Sequence, residues 1–361
     1  MPPTAPSRIQ NPRRILIVRP SALGDVARTV PCVVSLRRAY PEATIDWLVD
    51  ARYADVIRHH PDLNDVVLFH RKNLGTVGPL LYRLRRARYD LTVDLRGLAR
   101  SGFFAWTTRA PRRVGYANAR EFGWLGLNRR HHIDRALHAV PRMLGLLEAE
   151  GIPPVGNLTL HVGAEDAAWR DGFLAEHGLL PGGYACIAPT ARWGCKCWPI
   201  ERFVEIAESL MQHPALGGRV VVLADSRERS RVRPLLARLG DQAVFPDTQV
   251  GQLMALIQTA RLLIGTDSAP LHLAVGLDTP TVSVFGPTDP ALVGPPSPEY
   301  FTQQPDGTRR AIDLHRVLRA PSAVGQTINY RRHREDDALI AEVQTDAVWR
   351  AIGELFEQTA G

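Results

Sequence analysis

Short β-branched runs alternate with amphipathic stretches along the whole chain, and this alternation restricts the fold more than any other feature. It is the pattern of parallel sheets whose strands are joined by crossover helices. In the first half the predicted strands are Ile15–Val18, Thr44–Val49, Val66–Leu68 and Leu91–Asp94; in the second they are Tyr184–Ala188, Arg219–Ala224, Leu262–Gly265 and Thr281–Phe285. Helical periodicity covers Val26–Ala39, Ile200–Met211 and Gln252–Ala260, and a last helix is expected around Thr345–Gln358. A chain of 361 residues has room for two domains of ~150 residues each. Gly151-Ile-Pro-Pro-Val-Gly156 interrupts any element, so the reading is α/β with two Rossmann-like domains, 1–155 and 156–361, facing across a cleft. The last helix is free to cross back to the first domain. Pro295–Arg310 reads as an irregular surface loop.

Charge divides at the same place. Residues 1–150 hold 25 Lys+Arg against 13 Asp+Glu, or +12, and the remainder holds 19 against 24, or −5. Halves of opposite sign point to different partners. Cys32, Cys186, Cys195 and Cys197 are too few and too scattered for a disulfide framework, which favours a reducing compartment. Cys195-x-Cys197 has no second Cys or His pair nearby to complete a zinc site. The apolar run Ile15–Val18 is too short for a signal-peptide core, and no segment approaches the ~20 apolar residues of a membrane span. The expectation is a cytoplasmic protein.

In open parallel sheets, ligands bind at the carboxyl ends of the strands, which directs attention to three loops. After the first strand comes Arg19-Pro-Ser-Ala-Leu-Gly-Asp-Val26, with a single glycine and no Gly-Lys-Ser/Thr, hence neither a dinucleotide fingerprint nor a P-loop. Asp25 there is either a helix cap or a carboxylate that takes a proton from a substrate hydroxyl. Lys196, one of two lysines beside Lys72, precedes a helix opened by Pro199; it is either a solvated surface residue or a compact ammonium for a diphosphate. The run Leu262–Gly276 delivers Asp267 and Ser268 to a helix start, with Pro270 in the first turn. The N–H groups of Ser268 and Ala269 form an anion site with the helix dipole, and His272 lies within its reach. The chain contains no Asp-x-Asp, so phosphate charge falls to Lys196, His272 and the helix N-terminus without a metal ion.

These residues resemble the lipopolysaccharide heptosyltransferases, the ADP-heptose-dependent inverting glycosyltransferases of family 9 with a two-Rossmann-domain (GT-B) fold. The resemblance rests on Leu23-Gly24-Asp25-Val26, Tyr89–Ser101, Arg113-Val-Gly-Tyr116, Trp193-x-x-Lys196-x-Trp-Pro199, Gly265-Thr-Asp-Ser-Ala-Pro-x-His272 and Phe285-Gly-Pro-Thr-Asp-Pro290. It implies that Asp25 is the general base, that the first domain binds the acceptor and that the second binds the donor, ADP-L-glycero-D-manno-heptose. It places Lys196, Asp267, Ser268, Ala269 and His272 on the donor, with Thr190 on the nucleotide side and Glu228 on the ribose. Ala269 stands where the family commonly has Gly. Ala119-Arg120-Glu121 and His138-Ala-Val-x-Arg142 are similar to members that add the first heptose to a Kdo acceptor, making Ser21, Arg71, Lys72 and Arg120 candidates for gripping an acidic sugar. The implied partners are the nucleotide sugar and a lipid A-Kdo glycolipid at the cytoplasmic face of the inner membrane, met by a peripherally associated monomer with no metal or other cofactor. The alternatives are a same-fold glycosyltransferase with another donor or acceptor, a silent sugar-binding relative, and a nucleic-acid-binding protein using the basic half. The last lacks any helix-turn-helix, zinc-finger or RNA-binding signature.

Overall fold

The computed structural model describes residues 9–296, 313–326, 328 and 337–359. Residues 297–310 of the predicted irregular loop lie outside them. The described residues fall into two compact units, divided between His161 and Val162. In the first unit, β1 (Arg14–Val18), β2 (Thr44–Asp50), β3 (Asp65–Phe69), β4 (Leu91–Asp94), β5 (Arg112–Tyr116) and β6 (Arg129–His131) form a sheet in the order β3-β2-β1-β4-β5-β6. In the second, β7 (Ala185–Ala188), β8 (Val220–Val222), β9 (Ala243–Val244), β10 (Leu262–Thr266), β11 (Thr281–Phe285) and β12 (His315–Arg319) form the order β12-β11-β10-β7-β8-β9. Every pairing is parallel. The eight predicted strands are all present.

The central strands read as continuous apolar runs because helices cover both faces: Ile15, Leu16, Ile17 and Val18 are all fully buried. The sequence reading missed β5, β6, β9 and β12; β5 and β6 escaped it because their chemistry is polar. β5 begins Arg112-Arg113 and β6 is Arg129-Arg130-His131, and a single buried carboxylate, Glu150, gathers Arg112 and His131 by hydrogen bonds with Arg129 at 3.6 Å.

The helix expected over Val26–Ala39 is two, Leu23–Ala27 and Val30–Ala39. Pro31 has no N–H to continue the ladder, and Thr29 Oγ1 instead donates to Asp25 O at 2.7 Å. The division between units falls later than the Pro/Gly run because Val155, Leu158 and Leu160 are buried and Val155 N donates to Ser35 Oγ at 2.9 Å. Composition marks where elements stop, whereas burial decides which core claims the strand-like segment that follows. The last helix, Thr345–Gln358, belongs to the second unit. Its Val348, Ile352, Leu355 and Phe356 join Phe203, Ile206 and Leu210 in the core of the second unit.

Candidate active site

In each sheet the connections leave a central pair of strands in opposite directions. Chain order runs outward from β1 to β3 and then resumes beside β1 at β4; it runs from β7 to β9 and resumes beside β7 at β10. Such switch points leave a crevice at the strand carboxyl ends, where ligands bind. Both are occupied by charged side chains.

At the first switch point, the loop after β1 supplies Asp25, the third residue of the helix Leu23–Ala27. Its carboxylate accepts from Ala22 N at 3.2 Å, so it does cap the helix. It also meets three guanidinium groups: Arg28 at 2.7 Å, Arg96 at 3.1 Å and Arg19 at 3.2 Å. Burial raises its pKa, but the charges of Arg19, Arg28 and Arg96 and the Ala22 N–H outweigh it and hold the carboxyl well below the usual carboxylate range. With its side chain 22% exposed, Asp25 is an ionised carboxylate within reach of solvent.

Arg96 is aimed by the turn after β4. Asp94 Oδ1 accepts from Arg96 N at 2.8 Å and Gly97 N at 3.0 Å, and Asp94 Oδ2 accepts from Ser101 Oγ at 2.9 Å. Arg120 joins the same neighbourhood, its N–H donating to Gly97 O at 3.0 Å. Arg71 and Lys72 are exposed on the turn after β3, two strands from the switch point. Ser21 lies in the loop between β1 and Asp25. Of the four expected acceptor residues, Ser21 therefore lies in the Asp25 loop and Arg120 is tied to the turn that carries Arg96, and Arg71 and Lys72 stand apart on the same edge of the sheet.

At the second switch point, Lys196 follows β7, Asp267 follows β10, and Lys196 Nζ lies 2.5 Å from Asp267 Oδ2. The ammonium expected on the diphosphate is thus paired with a carboxylate. Ser268 is the N-cap of the helix Ala269–Gly276, and His272 is buried on its first turn. The buried hydroxyl oxygens of Thr266, Ser268 and Thr288 have no hydrogen-bond partner among the described residues. Buried hydroxyls are ordinarily paired, and these three lie together at or just beyond the ends of β10 and β11. Gly265 is required where β10 lies beside β7, because a Cβ there would lie 2.9 Å from Ala188 O.

Thr190 and Glu228, expected on the nucleotide, are also together: Thr190 Oγ1 donates to Glu228 Oε2 at 2.8 Å. Arg231 binds Glu228 at 3.0 Å and Cys197 Sγ at 2.9 Å. Sequence reasoning missed Arg19, Arg28, Arg96, Arg231, Thr266 and Thr288. Only the helical spacing of Arg28 from Asp25 was a usable local signal. Among the described residues no group of three or more His, Cys, Asp or Glu side chains is placed to hold a metal ion.

Two doubly wound parallel sheets with polar residues gathered at both switch points have the α/β fold of GT-B proteins. The chain belongs to glycosyltransferase family 9 (heptosyltransferase), whose model matches residues 77–315, and the non-enzyme reading of the basic half is thereby set aside. It is 30% identical over 299 residues to lipopolysaccharide heptosyltransferase 1 of Pseudomonas aeruginosa, across 78% of this chain and 81% of that protein. In fold it is similar to the glycosyl transferase family 9 of Veillonella parvula, with TM-score 0.81, 21% identity, and 98% of this chain and 100% of that one covered. An Escherichia coli heptosyltransferase solved with ADP gives TM-score 0.69 at 22% identity, covering 96% and 99%.

Proposed function

We propose that this heptosyltransferase moves a heptose from ADP-L-glycero-D-manno-heptose to the Kdo/heptose inner core of lipopolysaccharide by direct displacement with inversion. Asp25 serves as general base. The acceptor hydroxyl oxygen attacks the anomeric carbon while the bond from that carbon to the β-phosphate oxygen breaks, and the hydroxyl proton passes to Asp25. The developing charge on ADP is met by Lys196 and by the N–H groups opening the helix Ala269–Gly276, without a metal ion. Asp267, Ser268, Ala269 and His272 bind the donor, with Thr190 and Glu228 toward the ribose.

The carboxylate held ionised by Arg19, Arg28 and Arg96 carries this reading. A group whose pKa is held down accepts a proton weakly, so the acceptor has a second task. An anionic sugar that draws the guanidinium groups of Arg96 and Arg120 toward itself takes positive charge away from Asp25 and raises its basicity. Ser21, Arg71 and Lys72 extend the acceptor contacts, and the protein acts as a monomer at the cytoplasmic face of the inner membrane. No helix among the described residues is long and apolar enough to cross a membrane.

Thermal unfolding in the presence of ADP, UDP and GDP tests the donor assignment, since a ligand held only by the folded state stabilises it by about 2.7 kcal/mol at a hundred times its Kd. ADP is expected to raise the melting temperature most. A larger rise with UDP contradicts the donor assignment.

A further inference from the structure

The first unit exposes large apolar side chains where a water-facing surface has little use for them. On the helix Ala99–Thr108 and its C-cap, Arg100, Phe103, Trp106 and Arg109 recur at every third position and are all exposed. Phe103 is 45% and Trp106 57% exposed, with their rings stacked at 6.0 Å. The turn Gly123–Gly126 packs on this helix backbone to backbone, since a Cβ on Gly102 would lie 2.0 Å from Gly123 O. That close approach holds Phe122, 72% exposed, and Leu125, 66% exposed, beside the helix. Glu121 and Phe122 have φ of 55° and 58°, a left-handed backbone that non-glycine residues adopt at a cost and retain mainly where it serves function. The fold therefore spends strain and three glycines on presenting apolar groups to solvent.

The charge around these groups has one sign. Residues 77–135 hold 13 Arg against 4 Asp+Glu, and Arg100, Arg109 and Arg130 form no ion pair with a carboxylate among the described residues. Aromatic rings set among arginines that lack a carboxylate partner match an anionic bilayer, whose headgroup region accepts amphipathic rings and whose surface potential attracts basic groups. A second copy of the same face would bring like charges together.

We propose that this face, centred on Phe103, Trp106, Phe122 and Leu125, docks the protein on anionic lipid. The inference rests on the proposed glycolipid acceptor, which resides in such a surface. The test is co-sedimentation with phosphatidylcholine vesicles, with and without a one-third share of phosphatidylglycerol. It uses the full chain, a Phe103→Ser/Trp106→Ser variant and an Arg109→Glu/Arg130→Glu variant, with transfer to a deacylated acceptor measured in parallel.

The unsubstituted protein is expected on the anionic vesicles only, each variant bound roughly tenfold more weakly, and transfer to the deacylated acceptor unchanged. Unchanged vesicle binding by both variants overturns the proposal. So does a dimer, seen by light scattering, that the first variant dissolves, or loss of binding to arbitrary duplex DNA in place of lipid. Variant-sensitive vesicle binding by a protein that transfers nothing to the Kdo acceptor supports the docking face and contradicts the acceptor reading.

Discussion

Lys196 Nζ lies 2.5 Å from the Asp267 carboxylate, joining loops that follow β7 and β10, the two strands at which the second sheet reverses its order. The first sheet repeats the relationship with the signs exchanged: Asp25 follows β1, Arg96 follows β4, and the two are 3.1 Å apart. The carboxylate therefore comes from the first loop in one unit and from the second loop in the other. The proposed roles follow this exchange, with a base in the first unit and a phosphate-binding cation in the second.

Substituting Lys196→Ala is expected to weaken ADP and ADP-heptose together, since the diphosphate is common to both. The loss of a charge-assisted hydrogen bond, about 1.5–3 kcal/mol, corresponds to a roughly 10- to 100-fold rise in Kd by calorimetry. Lys196→Arg should restore affinity only in part, because a planar guanidinium cannot replace a point charge seated against Asp267. A selective effect on one of the two ligands contradicts the assignment.

Removing a cation from beside Asp25 makes its carboxylate easier to protonate. Arg96→Gln is therefore expected to move the acid limb of the pH–rate profile toward higher pH. In the unsubstituted enzyme this group puts no acid limb above its ordinary value of 3.8. Profiles of kcat/KM for the two proteins, which report the free enzyme, check the sign, and superimposable acid limbs would falsify the role given to Arg96.

His60 gives the first unit a pH-dependent stability. Burial and the His161 ring, edge-on at 5.1 Å, hold the His60 pKa at about 4 against 6.5 unperturbed. Below pH 6.5 the unfolded chain binds a proton that folded His60 refuses, so stability falls as pH drops from 6.5 toward 4. Urea midpoints at pH 7 and pH 5 should differ less in His60→Phe than in the unsubstituted protein.

Glu150 is 3% exposed and shared by Arg112, Arg129 and His131. Glu150→Ala leaves the Arg112 and Arg129 guanidinium groups without a carboxylate at the sheet edge, and breaking a buried pair from one side costs about 3 kcal/mol or more. Urea denaturation is expected to show this loss. A change under 1 kcal/mol would mean that water already serves these groups.

The buried strands and the loops at their ends were legible in the sequence because covering both sheet faces demands uninterrupted apolar runs. β5 and β6 were not, since Arg112 and Arg129 look like loop residues until Glu150 is brought to them from further along the chain. The same limit applied at the site. Asp25, Lys196 and Asp267 stand out locally by residue type at a strand-to-helix turn. Arg96 becomes a partner of Asp25 only when β4 is laid beside β1, and Thr266 and Thr288 become notable only when burial leaves their hydroxyls unpaired. Asp25 was open between cap and base because it is a cap, and nothing in helix capping prevents the same carboxylate from taking a proton.

Single-turnover transfer by Asp25→Asn, set beside its affinity for ADP, tests the central claim most directly. Asparagine keeps the shape and the hydrogen bond from Ala22 N but cannot accept the acceptor proton. The expected result is ADP affinity within a factor of about two and a transfer rate lowered by roughly 10²–10⁴; a variant that transfers heptose at the rate of the unsubstituted enzyme shows that Asp25 only caps its helix.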